Sequence, residues 1–224
     1  MKAEKCGGSS AQARLWRAAR LVLSAAASAA LVSGCGGGGD SASTSSPAAT
    51  DGLSPMAQVG KQIFFDQTLS ASGKQSCASC HDPARGFTDP NNLAVSIGGP
   101  NSDLPGLRNT PSLNYASFTP NFKIDSTGKA SGGFFRDGRS ASLADQAQQP
   151  FTNAFEMANL SADDVFKTLL TRPYLEQFKA VFTPAGIQDS ANAMQSIGRA
   201  LAAFQSEDPS FHTFDSKFDA YLAG

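Results

Sequence analysis

The sequence contains a cysteine–histidine cluster of a type that can carry iron chemistry. Cys77 and Cys80 are three residues apart, and His81 follows directly. This spacing is typical of a c-type haem attachment site, in which two thioether bonds hold the porphyrin edge and the next imidazole binds the iron. We therefore predict one covalently bound haem, with His81 as the proximal iron ligand.

Three other uses of the two thiols have to be considered. A zinc site needs about four nitrogen or sulfur ligands, and the candidates here are Cys77, Cys80, His81 and the distant His212. A thioredoxin-like redox pair would lie beside a βαβ pattern, which the sequence does not show. A disulfide between the two cysteines would form only if haem were never attached.

The composition limits the classes of function. The 224 residues carry a formal net charge of −1, and no basic run suggests nucleic acid as a partner. Charged residues are sparse, whereas Phe occurs 16 times. Such a chain is about the size of one domain or slightly more, and its composition suits a fold that surrounds a large apolar cofactor.

Residues 1–35 are predicted to be a lipoprotein signal peptide. Three arginines precede an apolar, alanine-rich stretch at 21–32, which is too short to span a bilayer comfortably. Small residues then lead to Cys35, in a pattern that resembles a bacterial lipobox, so Cys35 is the predicted lipidation site. The alternative is an ordinary signal peptide cleaved elsewhere.

Residues 36–52 are rich in Gly, Ser, Ala and Thr and are predicted to form a flexible tether. A lipid on Cys35 would then hold the folded domain at the periplasmic side of a bacterial membrane. Haem attachment to a CxxCH motif occurs in the same compartment, so two independent signals agree on the location.

Helix signals surround the motif. Ser54 and Pro55 have the types expected at the start of a helix that ends near Asp66. After His81, the segment 82–109 is rich in Pro, Gly, Asn and Asp and is predicted to be irregular. Arginines in and beyond this segment could each pair with a haem propionate. These candidates are Arg85, Arg108 and Arg139.

The later part of the chain also has helical patterns. Ser142, Ser161 and Asp189 are predicted to begin helices. The helix after Asp189 is the longest and carries a predicted apolar stripe at helical spacing: Met194, Ile197, Leu201 and Phe204. No stretch alternates as a strand does. The predicted fold is therefore all-α: a cytochrome c-like helical domain over residues 53–208, with long irregular loops around one covalently bound haem.

Several short motifs together resemble the bacterial di-haem cytochrome c peroxidases, a family that includes a maturation enzyme oxidising tryptophans in a partner protein. The resemblance covers about residues 53–224. It lies in Gly60–Asp66, Ser76–His81, Gly86–Asp89, Arg108–Leu113, Phe135–Arg139 and Ser142–Met157.

The resemblance implies roles for individual residues. Peroxide would react at the haem bound by His81. The distal glutamate of the family falls on Glu156, and its distal glutamine falls ten residues earlier, on Gln146. A carboxylate above the iron can move a proton between the peroxide oxygens, and a neutral amide can orient peroxide. Asn109 corresponds to a residue that helps to hold a calcium ion between two domains.

The chain departs from the family in three ways. It contains one CxxCH rather than two, and residues 209–224 resemble a connector to a second haem domain, before which the chain is predicted to be truncated. Arg136 stands where many members have a tryptophan. No histidine lies between His81 and His212 to cap the iron, so the sixth position is predicted to be open or water-bound.

These observations predict a protein that reduces hydrogen peroxide with electrons from a small cytochrome or cupredoxin. The first alternative is a one-haem electron-transfer cytochrome with Met157 or Met194 as sixth ligand, although core packing is favoured for Met157. The others are a maturation enzyme that oxidises a partner protein, and an inactive haem-binding fragment of a di-haem peroxidase.

Overall fold

The structure, a computed structural model, describes residues 52–182 and 185–224, which belong to one compact unit. The predicted signal peptide, its lipidated Cys35 and all but the last residue of the predicted tether lie outside the described residues. No helix in the described ranges is long and apolar enough to cross a membrane.

The described chain is mainly helical, as predicted. Its α-helices are α1 Pro55–Phe65, α2 Cys77–Cys80, α3 Leu143–Gln148, α4 Ala162–Leu169, α5 Leu175–Phe182, α6 Ser190–Glu207 and α7 Lys217–Ala223. Short 3₁₀ turns occupy Gln67–Leu69, Pro83–Arg85, Ala116–Phe118, Gln149–Thr152, Ala185–Ile187 and Pro209–Phe211.

Two small antiparallel hairpins interrupt the predicted loops. β1 (Ile97–Gly98) pairs with β2 (Leu104–Pro105), and β3 (Lys123–Ile124) pairs with β4 (Ala130–Ser131). The all-α prediction is therefore right for the main elements but did not include these hairpins. Strands of two residues are too short to show an alternating pattern in the sequence.

Side-chain caps fix where the main helices begin. The Oγ atom of Ser54 accepts a hydrogen bond from the backbone N–H of Ala57 at 3.2 Å, and Pro55 occupies the first turn of α1. Ser161 caps α4 and Asp189 caps α6 in the same way. Such caps satisfy N–H groups that have no partner within the helix.

Helix α6 is the centre of the frame, with α1 and α3 packed closely against it. A Cβ atom on Gly60 of α1 would lie 1.9 Å from the carbonyl oxygen of Ala200, and one on Gly198 would lie 2.2 Å from that of Ala144. Only glycine permits either approach. The predicted apolar stripe of α6 is buried in this frame: Met194, Ile197, Leu201 and Phe204.

A group of aromatic rings closes the core beside α1 and α6. The rings of Phe87 and Phe211 stack with their centroids 3.9 Å apart, and Phe204 meets Phe211 edge-on at 5.2 Å. Phe211 is only 1% exposed. The packed core therefore extends past residue 208 into the segment predicted to be a connector, whereas Phe218 and Tyr221 of α7 are exposed.

Candidate haem site and distal pocket

The CxxCH motif forms one helical turn, α2. The backbone N–H of Ser76 donates to the Oγ atom of Ser79 at 2.9 Å, and the N–H of His81 donates to the carbonyl of Cys77 at 2.8 Å. Residues three apart share one side of a helix, so this turn brings the Cys77 and Cys80 side chains to one side. Both are free, half-buried thiols.

The imidazole of His81 is oriented by the loop that follows it. Its Nδ1 atom lies 3.0 Å from the carbonyl oxygen of Phe87. When Nδ1 donates to that oxygen, Nε2 keeps the lone pair that a metal needs. Burial lowers the pKa of His81, although the contact with the Phe87 carbonyl acts in the opposite direction. The neutral, metal-binding form is therefore favoured.

Phe87 has an unusual backbone conformation for a large residue. Its φ of 57° is in the left-handed region, where side chains other than those of Gly and Asn are strained. Its N–H donates to the carbonyl of Asp82 at 2.8 Å, and its ring is held by Phe211. These contacts hold the carbonyl beneath His81.

The alternative of a zinc site is not supported. Within residues 52–182 and 185–224 there is no group of three or more His, Cys, Asp or Glu side chains that could hold a metal. The Nε2 atom of His212 lies 3.0 Å from the carbonyl of Ser206 instead. Burial raises the pKa of Cys77 to about 12 and that of Cys80 to about 11, so without a bound metal both thiols are protonated at neutral pH.

A pocket of about 270 Å³ contains the predicted distal glutamate. Its lining residues are Phe135, Arg139, Gln149, Pro150, Thr152, Asn153 and Glu156. The Nδ2 group of Asn153 donates to Oε1 of Glu156 at 2.9 Å. The amide therefore holds one carboxylate oxygen in place.

The turn that carries Glu156 rests on the first hairpin. The carbonyl of Glu156 accepts a hydrogen bond from the N–H of Gly99 at 2.9 Å. A Cβ atom on Gly98 would lie only 2.1 Å from the carbonyl oxygen of Phe155. Strand β1 can support the Glu156 turn at this distance because residue 98 has no side chain.

The electrostatics of Glu156 combine two opposing effects. Glu156 is an exposed residue, but the protein atoms packed around its carboxylate still partly desolvate it, and this raises its pKa. The positive charge of Arg139 acts in the opposite direction. A negative charge on Glu156 also raises the pKa of both cysteine thiols, so the carboxylate lies within electrostatic range of the CxxCH turn.

Arg139 is held at the edge of the same pocket. Its guanidinium carbon lies 3.6 Å from the centroid of the Phe135 ring. Its Nη1 group donates to both carboxylate oxygens of Asp137, at 2.8 and 3.0 Å. Arg139 was predicted as one of three propionate partners, and it is the one of the three that lines this pocket.

The glutamine that lines the pocket is Gln149, and a distal role for Gln146 stays a prediction. Gln146, the predicted distal amide, is half-buried on α3 and does not line the pocket, whereas Gln149 does. The Nε2 group of Gln149 donates to the Oγ atom of Ser140. A signal for Gln149 is its place just before Pro150, where α3 tightens into a 3₁₀ turn.

Two further predicted residues lie away from the pocket. Arg108 and Asn109 are exposed, and the Nδ2 group of Asn109 donates to the carbonyl of Leu93 at 3.4 Å. A propionate contact from Arg108 and a calcium ion at Asn109 stay predictions. Met157 and Met194 are both packed in the hydrophobic core, in line with the packing role favoured for Met157.

The described residues fit a c-type haem. Two free thiols lie on one side of a single turn, and the imidazole beside them is oriented through Nδ1 by the Phe87 carbonyl. The fold and site together define a helical c-type haem protein with an acidic residue in a neighbouring pocket.

Comparison with known proteins identifies the family. Residues 54–224 match the family described as di-haem cytochrome c peroxidase. The chain belongs to this family, as the resemblance predicted.

The relatives include both peroxidases and maturation proteins. The chain is 43% identical over 174 residues to the methylamine utilization protein MauG of Paracoccus denitrificans, a match that covers 75% of this chain and 44% of the relative. It is 34% identical to the cytochrome c551 peroxidase of Nitrosomonas europaea over 79% of this chain and 46% of that protein. The chain thus spans less than half the length of these relatives.

Solved structures agree with this assignment. The diheme peroxidase BthA from Burkholderia thailandensis is 31% identical and superposes with a TM-score of 0.68. The match covers 76% of this chain and 42% of that one. A MauG-like protein associated with microbial copper homeostasis matches with a TM-score of 0.57 at 27% identity, over 77% of this chain and 45% of that one.

Proposed function

We propose that this chain is a c-type haem protein that reduces hydrogen peroxide with electrons from a small cytochrome or cupredoxin. The observation that carries the proposal is the Glu156 carboxylate, which lies in a pocket within electrostatic range of the CxxCH turn and has a raised pKa. Membership of the peroxidase family supports the same reaction.

The chain supplies the groups that would hold the cofactor. Cys77 and Cys80 would form the two thioether bonds, and Nε2 of His81 would bind the iron. The bound haem would supply the electrons and the oxygen-binding metal. The Phe87 carbonyl keeps the imidazole in the orientation and tautomer that this ligand needs.

Glu156 is proposed to move the proton. Cleavage of the O–O bond requires a proton to pass from one peroxide oxygen to the other, and two electrons and two further protons complete the reduction to two waters. Asn153 fixes Oε1 of the carboxylate, so Oε2 would take the proton and return it. A pKa raised toward the working pH suits a group that must do both. The charge of Arg139 opposes the effect of burial and so limits the rise of this pKa.

The test follows the direct reaction of the haem-loaded protein with peroxide. Absorbance changes of the haem after stopped-flow mixing report this step without any electron donor. Glu156→Gln should slow it at least about tenfold, since acid–base assistance typically contributes roughly 10²- to 10⁴-fold. The control is Glu176→Gln, because Glu176 is exposed on α5 and pairs with Lys179, away from the pocket. An unchanged rate in Glu156→Gln would remove the proposed role.

The electron-transfer alternative predicts a different resting state. A low-spin spectrum with a methionine charge-transfer band in the oxidised protein would show that both faces of the iron are occupied. Turnover with a reduced small cytochrome, measured on the same sample, would then be absent. An open or water-bound iron would instead support the peroxide reaction.

We also propose that the protein is exported and held at the periplasmic face of a membrane by a lipid on Cys35. The support is the sequence pattern of residues 1–35 followed by the tether at 36–52. Cys35→Ala should release the protein from the membrane fraction, as measured by immunoblotting of separated fractions. Retention of the variant in the membrane would contradict this proposal.

A further inference from the structure

Tyr174 is a buried phenol that the proposed peroxide reaction does not use. It stands directly before α5 and is only 4% exposed. Its hydroxyl donates a hydrogen bond to Oδ2 of Asp66 at 2.7 Å. The other carboxylate oxygen of Asp66 accepts from the N–H and the hydroxyl of Thr68, at 2.9 and 2.6 Å. The carboxylate is therefore fixed with one oxygen directed at the phenol.

Tyr174 and the haem-attachment turn border the same hydrophobic core. Tyr174 belongs to the same buried cluster against which Cys77 packs. Burial raises the pKa of Tyr174 well above its usual range, and the hydrogen bond and charge of Asp66 raise it further. A charge on Cys77 acts in the same direction, so the phenol is within electrostatic range of the sulfur that would carry the porphyrin edge.

The other side of the pair reaches solvent. Thr68 is exposed, and its hydroxyl accepts a hydrogen bond from the guanidinium of Arg172. The same guanidinium donates to the hydroxyl of Thr171 at 2.8 Å. The phenol and its carboxylate thus lie between the haem turn on the inside and a polar, exposed edge on the outside.

Oxidation of a phenol requires its proton to leave, because the phenol cation radical is a very strong acid. A carboxylate at hydrogen-bond distance can accept this proton without rearrangement of the protein. We propose that Tyr174 is a redox-active residue that gives one electron to the haem after peroxide has oxidised it. The haem is reduced by one electron, the O–H bond breaks, and the proton passes to Oδ2 of Asp66.

The products of this step are a neutral tyrosyl radical and a protonated Asp66. A reduced small cytochrome or cupredoxin at the exposed edge would return one electron to the radical, and Asp66 would return the proton. Electrons could then enter at the Thr68 side and reach the haem through Tyr174. This inference rests on the proposed function, because peroxide-oxidised haem is the oxidant.

Because the chain has few tyrosines and one tryptophan, a radical signal can be assigned to a single residue by substitution. There are three tyrosines, and the single tryptophan, Trp16, lies in the predicted signal peptide. Tyr115 and Tyr221 are 39% and 79% exposed. The hydroxyl of Tyr115 accepts from the N–H of Phe214 at 3.4 Å. Both are therefore suitable control positions.

The experiment mixes haem-loaded protein with hydrogen peroxide, freezes it after milliseconds and records the electron paramagnetic resonance spectrum. Ring-deuterated tyrosine identifies a tyrosyl signal by its narrowing. The signal should be lost in Tyr174→Phe, which keeps the ring, and retained in Tyr115→Phe and Tyr221→Phe. Asp66→Asn should slow formation of the signal about tenfold or more, because the amide cannot accept a proton.

Stopped-flow haem absorbance on the same samples separates this inference from the proposed function. If the haem reacts with peroxide but the unmodified protein shows no tyrosyl signal, the role of Tyr174 is overturned and the peroxide reaction stands. The same holds if the tyrosyl signal persists in Tyr174→Phe. A haem that does not react would remove both. If the hydroxyl had only a structural role, Tyr174→Phe would have a lower unfolding midpoint but would still show the tyrosyl signal.

Discussion

The helical frame and the loop face of this protein solve different problems. In the frame, α1 and α3 approach α6 so closely that Gly60 and Gly198 cannot carry a side chain. The loop face consists of the irregular segments and short hairpins that join the helices. Within it, residues 121–132 are all exposed, and the backbone turns at residues with positive φ and is fixed by a few hydrogen bonds. The frame is stabilised by burial, whereas the loops are positioned by specific contacts.

The chemical groups come mainly from the loops. His81 follows α2 and is oriented by the Phe87 carbonyl, Glu156 lies in a turn supported by β1, and Arg139 lies in the loop before α3. The frame contributes the packing against which Cys77 is held. A change in the frame should therefore affect stability first, and a change in the loop face should affect chemistry first.

The largest effect is expected from removal of both thiols. In Cys77→Ala/Cys80→Ala no thioether bond can form, so the protein should lack covalent haem entirely. Intact mass spectrometry and the visible spectrum measure this loss. Far-UV circular dichroism should still show a helical protein, because Phe64, Ile197 and Leu201 belong to the buried hydrophobic core of the frame. A haem retained through denaturation would contradict the assignment.

Two equal steric changes, one in each region, test the comparison directly. Gly60→Ala places a methyl group on the backbone of Ala200 and should lower the free energy of unfolding by about 3 kcal/mol. Gly98→Ala meets the Phe155 backbone, but a two-residue strand can shift, so it should cost only about 1 kcal/mol.

The same shift would move Glu156. Misplacement of a reacting group by about 1 Å can cost roughly 10²-fold, so Gly98→Ala should slow the haem reaction with peroxide by about tenfold or more. Urea titration and stopped-flow absorbance measure the two effects. Equal stability losses with unchanged peroxide rates would show that the two regions do not differ in this way.

A smaller effect is expected from a helix cap. Ser161→Ala removes the oxygen that accepts from the N–H of Asp164 at 3.3 Å, and should cost about 1 kcal/mol of unfolding free energy. Ser206→Ala, at an exposed position near the end of α6, should change it by less than about 0.5 kcal/mol. Urea titrations compare the two. The peroxide rate should not change in either variant, since both lie in the frame.

The smallest effect is a shift in the pH dependence of the peroxide reaction. Glu156 must be ionised to take a proton, so the rate should fall as the pH falls through its raised pKa. Arg139 lowers this pKa, so the pKa should rise in Arg139→Gln. The acid limb of the pH–rate profile, where the rate falls with falling pH, should then move to higher pH. The shift should be modest because Arg139 is exposed and salt screens its charge.

The control for this shift is Arg199→Gln, an exposed arginine on α6 whose guanidinium lies over the Phe182 ring. Its acid limb should match that of the unmodified protein. An acid limb that moves to lower pH in Arg139→Gln would contradict the sign of the interaction. Repetition at high salt should reduce the difference between Arg139→Gln and the unmodified protein.

The sequence was a good guide where the cause of a structure is local. Ser54, Ser161 and Asp189 begin helices because each side chain satisfies N–H groups within three residues of itself. The hairpins were missed because segment 82–109 and the residues beyond it are rich in turn-forming types. The burial of Phe211 was also missed, since only its stacking on Phe87 removes it from solvent.

Residue types and spacing by themselves determined the haem motif, the helix starts, the apolar stripe of α6 and membership of the peroxidase family. These depend on neighbours in the chain, so they can be recognised without coordinates. The tertiary structure decided that Gln149 rather than Gln146 lines the pocket beside Glu156, that Phe87 orients His81, and that Asp66 meets Tyr174. Asp66 and Tyr174 are 108 residues apart in the chain, and only the packing of α1 and α5 brings such groups to hydrogen-bond distance.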